Sequence, residues 1–144
     1  MIELGKDPID ATALLARVLA PTDGAQALFL GVVRDHHEGR SVERLEYEAY
    51  EPMAQAKLQE IRERALERFD VREIGIAHRL GRLEIGEASV AVVVASSHRG
   101  PAFEACRFVM DVLKEEVPIF KKEFYADGTG DRWIEGGTPP TKGA

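Results

Sequence analysis

The chain has 144 residues and a formal net charge of -6, with 44% hydrophobic and 31% charged residues. That size and balance suit one globular domain with a real core. They argue against a broad nucleic-acid or anionic-membrane surface, because both want a positive field.

One cysteine, Cys106, excludes an intramolecular disulfide and fits a reducing, cytoplasmic compartment. The opening MIELGKDPID lacks the charged-then-apolar layout of a signal peptide. No apolar run reaches the roughly 18 residues that suggest a membrane span.

In chain order, Asp7-Pro8 reads as a helix opening, with a capping carboxylate before a proline at the first helical position. Leu14, Leu15, Val18 and Leu19 supply its apolar stripe, and Pro21 to Gly24 ends it. Ala27 to Arg34 reads as a buried strand. His36 to Ser41 is polar and contains glycine, which predicts a mobile loop. Val42 to Tyr50 predicts a second strand, since Leu45, Tyr47 and Ala49 alternate with Glu46 and Glu48. A long helix begins at Pro52, with Ala54, Leu58, Ile61, Ala65 and Phe69 on one face.

Val71 to Leu80 alternates again, and a short segment with Leu83 and Ile85 lies between Gly81 and Gly86. Ala88 to Ala95 is β-rich and apolar throughout, which predicts a central strand covered on both faces. A helix opens at Pro101, carries Ala102, Cys106, Val109, Met110, Leu113 and Val117 as its stripe, and stops at Pro118. Ile119 to Tyr125 and Arg132 to Glu135 predict a hairpin around Asp127-Gly128-Thr129-Gly130. The order gives an α+β class with a mixed, mostly antiparallel sheet, packed helices and a C-terminal β-hairpin. No linker divides residues 1–135, and 136–144 is expected to be a disordered tail.

Cations stand out in this acidic chain between Ser96 and Phe124. His98-Arg99 sits between the central strand and a helix N-terminus, where free N–H groups and the helix dipole favour an anion. Arg99 can clamp phosphate or carboxylate, or pair with a surface carboxylate; His98 can donate to a ligand or cap the loop. Lys114 follows the core position Leu113, and Lys121 and Lys122 alternate on a strand, so only one of them faces a given side. Lysine beside apolar and cationic neighbours is a base or nucleophile in the making, but most lysines are simply solvated.

Pro101 and Lys114 are 13 positions apart, which is roughly 20 Å along a helix. One small ligand cannot span that, so the cations form two sites or a second copy of the chain unites them. Arg34 reads as a pocket rim or a strand-end charge. His36 and His37 are adjacent and point to opposite faces of a strand, with no third ligand at metal spacing. Cys106 lies on a buried stripe and reads as core. No phosphate-binding loop, dinucleotide fingerprint or nucleophile elbow is present.

Five blocks together resemble one family: FLGVVRDH (Phe29 to His36), LEYEAYEPMA (Leu45 to Ala54), HRLGRLEIGE (His78 to Glu87), SSHRGPAFEACRFVMDVLKEEVPIFKKE (Ser96 to Glu123) and GDRWIE (Gly130 to Glu135). They are similar, in order, to the large catalytic subunit of molybdopterin synthase. Phe120 departs from the tryptophan common there.

The resemblance implies an α/β-hammerhead-like fold and a sulfurtransferase that needs no metal or organic cofactor. That enzyme converts cyclic pyranopterin monophosphate to molybdopterin. It takes sulfur from the thiocarboxylated C-terminal glycine of a small ubiquitin-like subunit, within a heterotetramer built on a large-subunit dimer. By the same resemblance, Lys114 and Lys121 are catalytic. Val32, Val33, Arg34, His98, Arg99, Lys114, Lys121, Lys122 and Glu123 bind substrate. The helix arithmetic then predicts a site with Lys114 and Lys121 from one protomer and His98 and Arg99 from the other. The competing reading is a non-catalytic module that binds a ubiquitin-like tail or a small phosphorylated ligand.

Overall fold

The structure is a computed structural model, and it describes residues 1–126 and the backbone of 132–135. In chain order the elements are β1 (Ile2–Gly5), α1 (Ala11–Val18), β2 (Ala25–Val32), β3 (His36–His37), β4 (Arg40–Ala49) and α2 (Glu51–Arg68). There follow β5 (Glu73–Arg79), β6 (Gly81–Glu84), β7 (Ala88–Ser96), α3 (Arg99–Glu116), β8 (Ile119–Tyr125) and β9 (Arg132–Glu135).

β7 organises the first sheet, whose order is β1-β5-β7-β2. β1 runs parallel to β5, and the other pairs are antiparallel. Every β7 residue from Ser89 to Ser96 is buried. Val90, Val92 and Val94 join the core under α2 and α3, whereas Ala91, Val93 and Ala95 meet Leu14 and Val18 of α1. Helices therefore cover both faces of this strand, as its unbroken apolar composition predicts. Each fully buried valine contributes about 1.5–3 kcal/mol relative to exposure.

The second sheet has five strands. β4 pairs with β8 on one side and β6 on the other, with β3 and β9 extending it. Its own small core holds Val33, Val42, Leu45, Leu83 and Tyr125. The register sets Tyr47 against Lys121 and Leu45 against Glu123.

Four expectations need correction. The first helix begins at Ala11, and Asp10 caps it by accepting from the Ala13 N–H at 2.9 Å. Asp7-Pro8 lies in the connection from β1, a strand of four residues, too short to show a period. The strand expected at Ala27 to Arg34 is Ala25–Val32, and it is an edge rather than an interior strand. Ala27 is 6% exposed, but Leu28, Leu30 and Val32 are 41%, 39% and 54% exposed. An apolar run signals burial, but it cannot say whether the chain itself or a partner supplies the cover.

The segment His36 to Ser41 is a tight hairpin, with His36 opposite Ser41 and His37 opposite Arg40. Glu38 and Gly39 both have positive φ, 51° and 78°, which is the two-residue turn whose twist matches paired strands. Finally, α3 starts at Arg99 rather than Pro101, with His98 as its N-cap residue. Pro101 fits inside the first turn because that turn's N–H groups have no intrahelical partner. The β8–β9 pairing appears as expected. Its turn, Asp127 to Gly130, and the tail 136–144 lie outside the described residues.

Candidate functional site

A pocket of about 340 Å³ opens where the end of β2, the β3–β4 hairpin, β8 and the last turns of α3 meet. Val33, Leu45, Val90, Met110 and Leu113 give it apolar walls. Arg34, Lys114 and Lys121 bring positive charge, and Glu123 is the one carboxylate among the described residues that line it.

Arg34 follows β2, where the chain is fixed by two backbone bonds: Val33 N–H to Glu87 O at 2.9 Å and Gly86 N–H to Val33 O at 2.7 Å. Val33 is buried and Val32 exposed, and both line the pocket. Lys114 is exposed in the last turn of α3, where the helix dipole favours a cation. Lys121 lines the pocket from β8 and shares its face with Glu123, two residues on. Lys122 points the other way, with Nζ 5.2 Å from the Phe124 ring centroid.

His98 and Arg99 do not line this pocket. Both are exposed at the opposite end of α3. Arg99 precedes Lys114 by 15 positions, roughly 22 Å of helix. His98 gives no side-chain cap to α3, and its own side chain and that of Arg99 stand at the end of the helix whose first N–H groups have no intrahelical partner. The turn before the helix is held by the Ser96 hydroxyl, which donates to the His98 carbonyl, and by Gly24 N–H to Ser96 O at 3.0 Å. Gly24 must be glycine on packing grounds: a Cβ there would lie 2.3 Å from the Ser97 carbonyl oxygen.

The pocket also holds polar groups besides these cations, Glu123 among them as the family resemblance implies. Glu123 is 2% exposed and accepts from His37 Nδ1–H at 2.8–2.9 Å and from the Tyr125 hydroxyl at 2.7 Å. Burial pushes its carboxyl up. The bonds from His37 and Tyr125 and the charges of His37 and Lys121 outweigh that, holding it below the usual carboxylate range. Tyr47 has its hydroxyl pushed up by burial and by the Glu123 charge, against a hydrogen bond with Ser89. His78 packs edge-on against Tyr47, centroids 5.2 Å apart, and donates from Nδ1 to the Arg79 carbonyl at 2.9 Å. Burial pulls its pKa down to about 4 despite that bond, so the ring is neutral at pH 7.

The signal for Tyr47 and His78 was their inward register beside Leu45 and Ile76; His37 and Tyr125 had none. Cys106 sits in the core, with Sγ 3.8 Å from the Val92 carbonyl, and burial pushes its thiol up. Among the described residues no group of three or more His, Cys, Asp or Glu is placed to hold a metal. Chemically, the site is an apolar slot with cations around it, fitted to an anion and to proton movement at its lysines.

The family model described as "MoaE protein" matches residues 4–116. The chain belongs to the MoaE family. It is 42% identical over 134 residues to the molybdopterin synthase catalytic subunit of Dictyostelium discoideum, covering 92% of this chain and 85% of that one. It is 43% identical over 137 residues to the Pyrococcus abyssi protein of the same name, covering 94% and 91%. Among solved structures it resembles molybdopterin synthase from Staphylococcus aureus, with a TM-score of 0.86, 36% identity and coverage of 92% and 95%. It also resembles the molybdopterin biosynthesis MoaE protein of Burkholderia ambifaria, with a TM-score of 0.82, 37% identity and coverage of 97% and 92%. The α+β class with mixed sheets is thus the fold of this family. Among the described residues no helix is long and apolar enough to cross a membrane.

Proposed function

We propose that this chain is a cytoplasmic sulfurtransferase, the catalytic subunit of a molybdopterin synthase acting in molybdenum cofactor biosynthesis. The shared name of its curated relatives supports the reading. The single observation that carries it is the convergence of Arg34, Lys114 and Lys121 on one apolar-walled pocket. The substrate is cyclic pyranopterin monophosphate. The sulfur donor is the thiocarboxylate on the C-terminal glycine of a small ubiquitin-like subunit. Both are anions, and a glycine tail has no side chain to obstruct a narrow slot.

In each transfer the carrier's acyl carbon loses its bond to sulfur and gains one to oxygen. The sulfur in turn bonds a side-chain carbon of the pterin as a C–O bond of that carbon breaks, so each transfer exchanges sulfur for oxygen between the two carbons, and two transfers build the dithiolene. Lys114 and Lys121 are placed to polarise the acyl group, move protons, or take the acyl group transiently. Arg34 holds anionic oxygen at the rim. Val32 and Val33 wall the slot, Glu123 anchors Lys121's strand, and Lys122 lies outside the pocket at its margin.

His98 and Arg99 complete the site from a second copy of the chain. Their separation from Lys114 supports this, and so does β2. That edge strand exposes Leu28, Leu30 and Val32, and Val32 also lines the pocket, so an uncovered apolar surface runs up to the site. The assembly is then a homodimer core with a carrier subunit on each copy, a heterotetramer.

The test is reconstitution of the purified chain with thiocarboxylated small subunit and cyclic pyranopterin monophosphate, following dithiolene formation. Product at a catalytic rate is expected. Tight carrier binding with no product sinks the enzymatic reading and leaves a binding module.

A further inference from the structure

The β3–β4 hairpin is clasped to β8 at two points. His37 donates to Glu123 from one strand of the hairpin. Arg40, its register partner, lays its guanidinium 3.5 Å from the centroid of the Tyr125 ring. The hydroxyl of that same ring donates to the same carboxylate. One nearly inaccessible carboxylate thus takes hydrogens from two chain segments, His37 and Glu123 being 86 positions apart. A buried carboxylate without such donors is costly.

His37 is the more consequential donor. Its side chain is 15% exposed, whereas that of His36 next to it is 67% exposed and meets Asp35. Lys121 stands two residues before Glu123 on the same face of β8, and both line the pocket. The carboxylate's position therefore sets the negative field that Lys121 experiences on its pocket side.

We propose that His37 is a positioning residue for Lys121: it locks the Glu123 carboxylate beside that lysine and fixes how the ammonium is presented to the pocket. This rests on reading Lys121 as a reacting group. Without His37, Glu123 keeps Tyr125 but loses the donor that ties it to the hairpin. The carboxylate then rotates or takes up a proton, and Lys121 loses a fixed counter-charge. Among the described residues, the charged and titratable groups around Glu123 include His37 with Glu38 behind it, Tyr47 on β4, and Lys121 and Tyr125 on β8, while Arg34, His36, His78 and Lys114 line the same pocket. Arg132 is its register partner on β9.

The experiment compares His37→Phe, which keeps a ring but no donor, with His37→Gln, which keeps a donor, in the full chain reconstituted with carrier and substrate. His37→Phe is expected to lower turnover on the order of tenfold through misplacement. Substrate affinity stays near wild type, the thermal midpoint falls because a buried carboxylate has lost a donor, and the acid limb of the turnover–pH profile moves to higher pH. His37→Gln recovers most of the turnover. If His37→Phe does not fold, His37→Ala serves the same comparison.

A readout independent of activity is the carboxyl titration of Glu123 by carbon NMR on the resting chain. It moves to higher pH in His37→Phe and much less in His37→Gln. That shift is expected even if the chain proves not to be a sulfurtransferase, which separates the two ideas. Wild-type turnover in His37→Phe, equal losses in both variants, or an unmoved Glu123 titration each overturns the proposal.

Discussion

Mixing two variants that are both defective at sub-saturating substrate gives a decisive measurement of the shared site. Take Lys121→Ala in one preparation and Arg99→Ala in another. Each homodimer carries the same defect in both of its sites. After unfolding and refolding together, or slow subunit exchange, equal amounts give about half mixed dimers, each with one doubly defective site and one intact site. The intact site takes Lys121 from one chain and Arg99 from the other. Activity should therefore recover to about a quarter of wild type per chain, set by that two-fold statistics. The structural ground is the roughly 22 Å of α3 between Arg99 and Lys114, with neither His98 nor Arg99 lining the pocket. The assay is dithiolene formation, with native mass spectrometry to count mixed dimers. If mixed dimers form and no activity returns, all four residues serve one chain's site and the shared-site reasoning fails.

Alone, Lys121→Ala should abolish sulfur transfer while carrier binding and the thermal midpoint stay near wild type; product at the wild-type rate would remove the lysine from the mechanism. Arg99→Ala should mainly weaken substrate binding, about tenfold or more for a lost charge-assisted contact, measured by calorimetry; unchanged affinity with lost turnover would contradict that. Gly24→Ala forces the Ser97 carbonyl to move, since the added carbon would sit 2.3 Å from it. About 1–3 kcal/mol of stability should be lost, along with substrate affinity through the displaced His98 and Arg99, and an unfolding midpoint equal to wild type would refute the clash. His78 is held neutral by burial, with a pKa of about 4 against 6.5. The unfolded chain therefore binds the extra proton first, and stability present above pH 6.5 is lost as pH falls toward 4, by about 3 kcal/mol in all. Urea unfolding from pH 7 to 4.5 should show a flatter pH dependence in His78→Gln than in wild type; parallel curves would count against it.

The sheet's centre was legible because composition and period agreed there. Ala88 to Ala95 is apolar without a break, and the structure covers both its faces. The stripes of α2 and α3 were legible for the same reason, and so was the alternation that turns Lys121 toward the pocket and Lys122 away. β1 was not, since four residues carry too little pattern and its place comes from parallel pairing with β5. The hairpin at Glu38-Gly39 was read as a loop because its polarity spoke louder than its turn chemistry. At the site, the cations could be found from residue type and order. The His37–Glu123 bond could not, because only the completed sheet brings those residues together.

The exposed edge of β2 has a bearing on handling and folding. Over its eight residues, Ala25–Val32, it contains no charge and no proline, the usual guards against unwanted strand addition. An uncovered copy of this edge is a template for any extended segment, including that of another unfolded chain. Variants that weaken the pairing of copies should then lose protein to aggregation with rising concentration, with helix content intact in what stays in solution. Soluble yield, as much as activity, becomes a measure of whether that edge has found its cover.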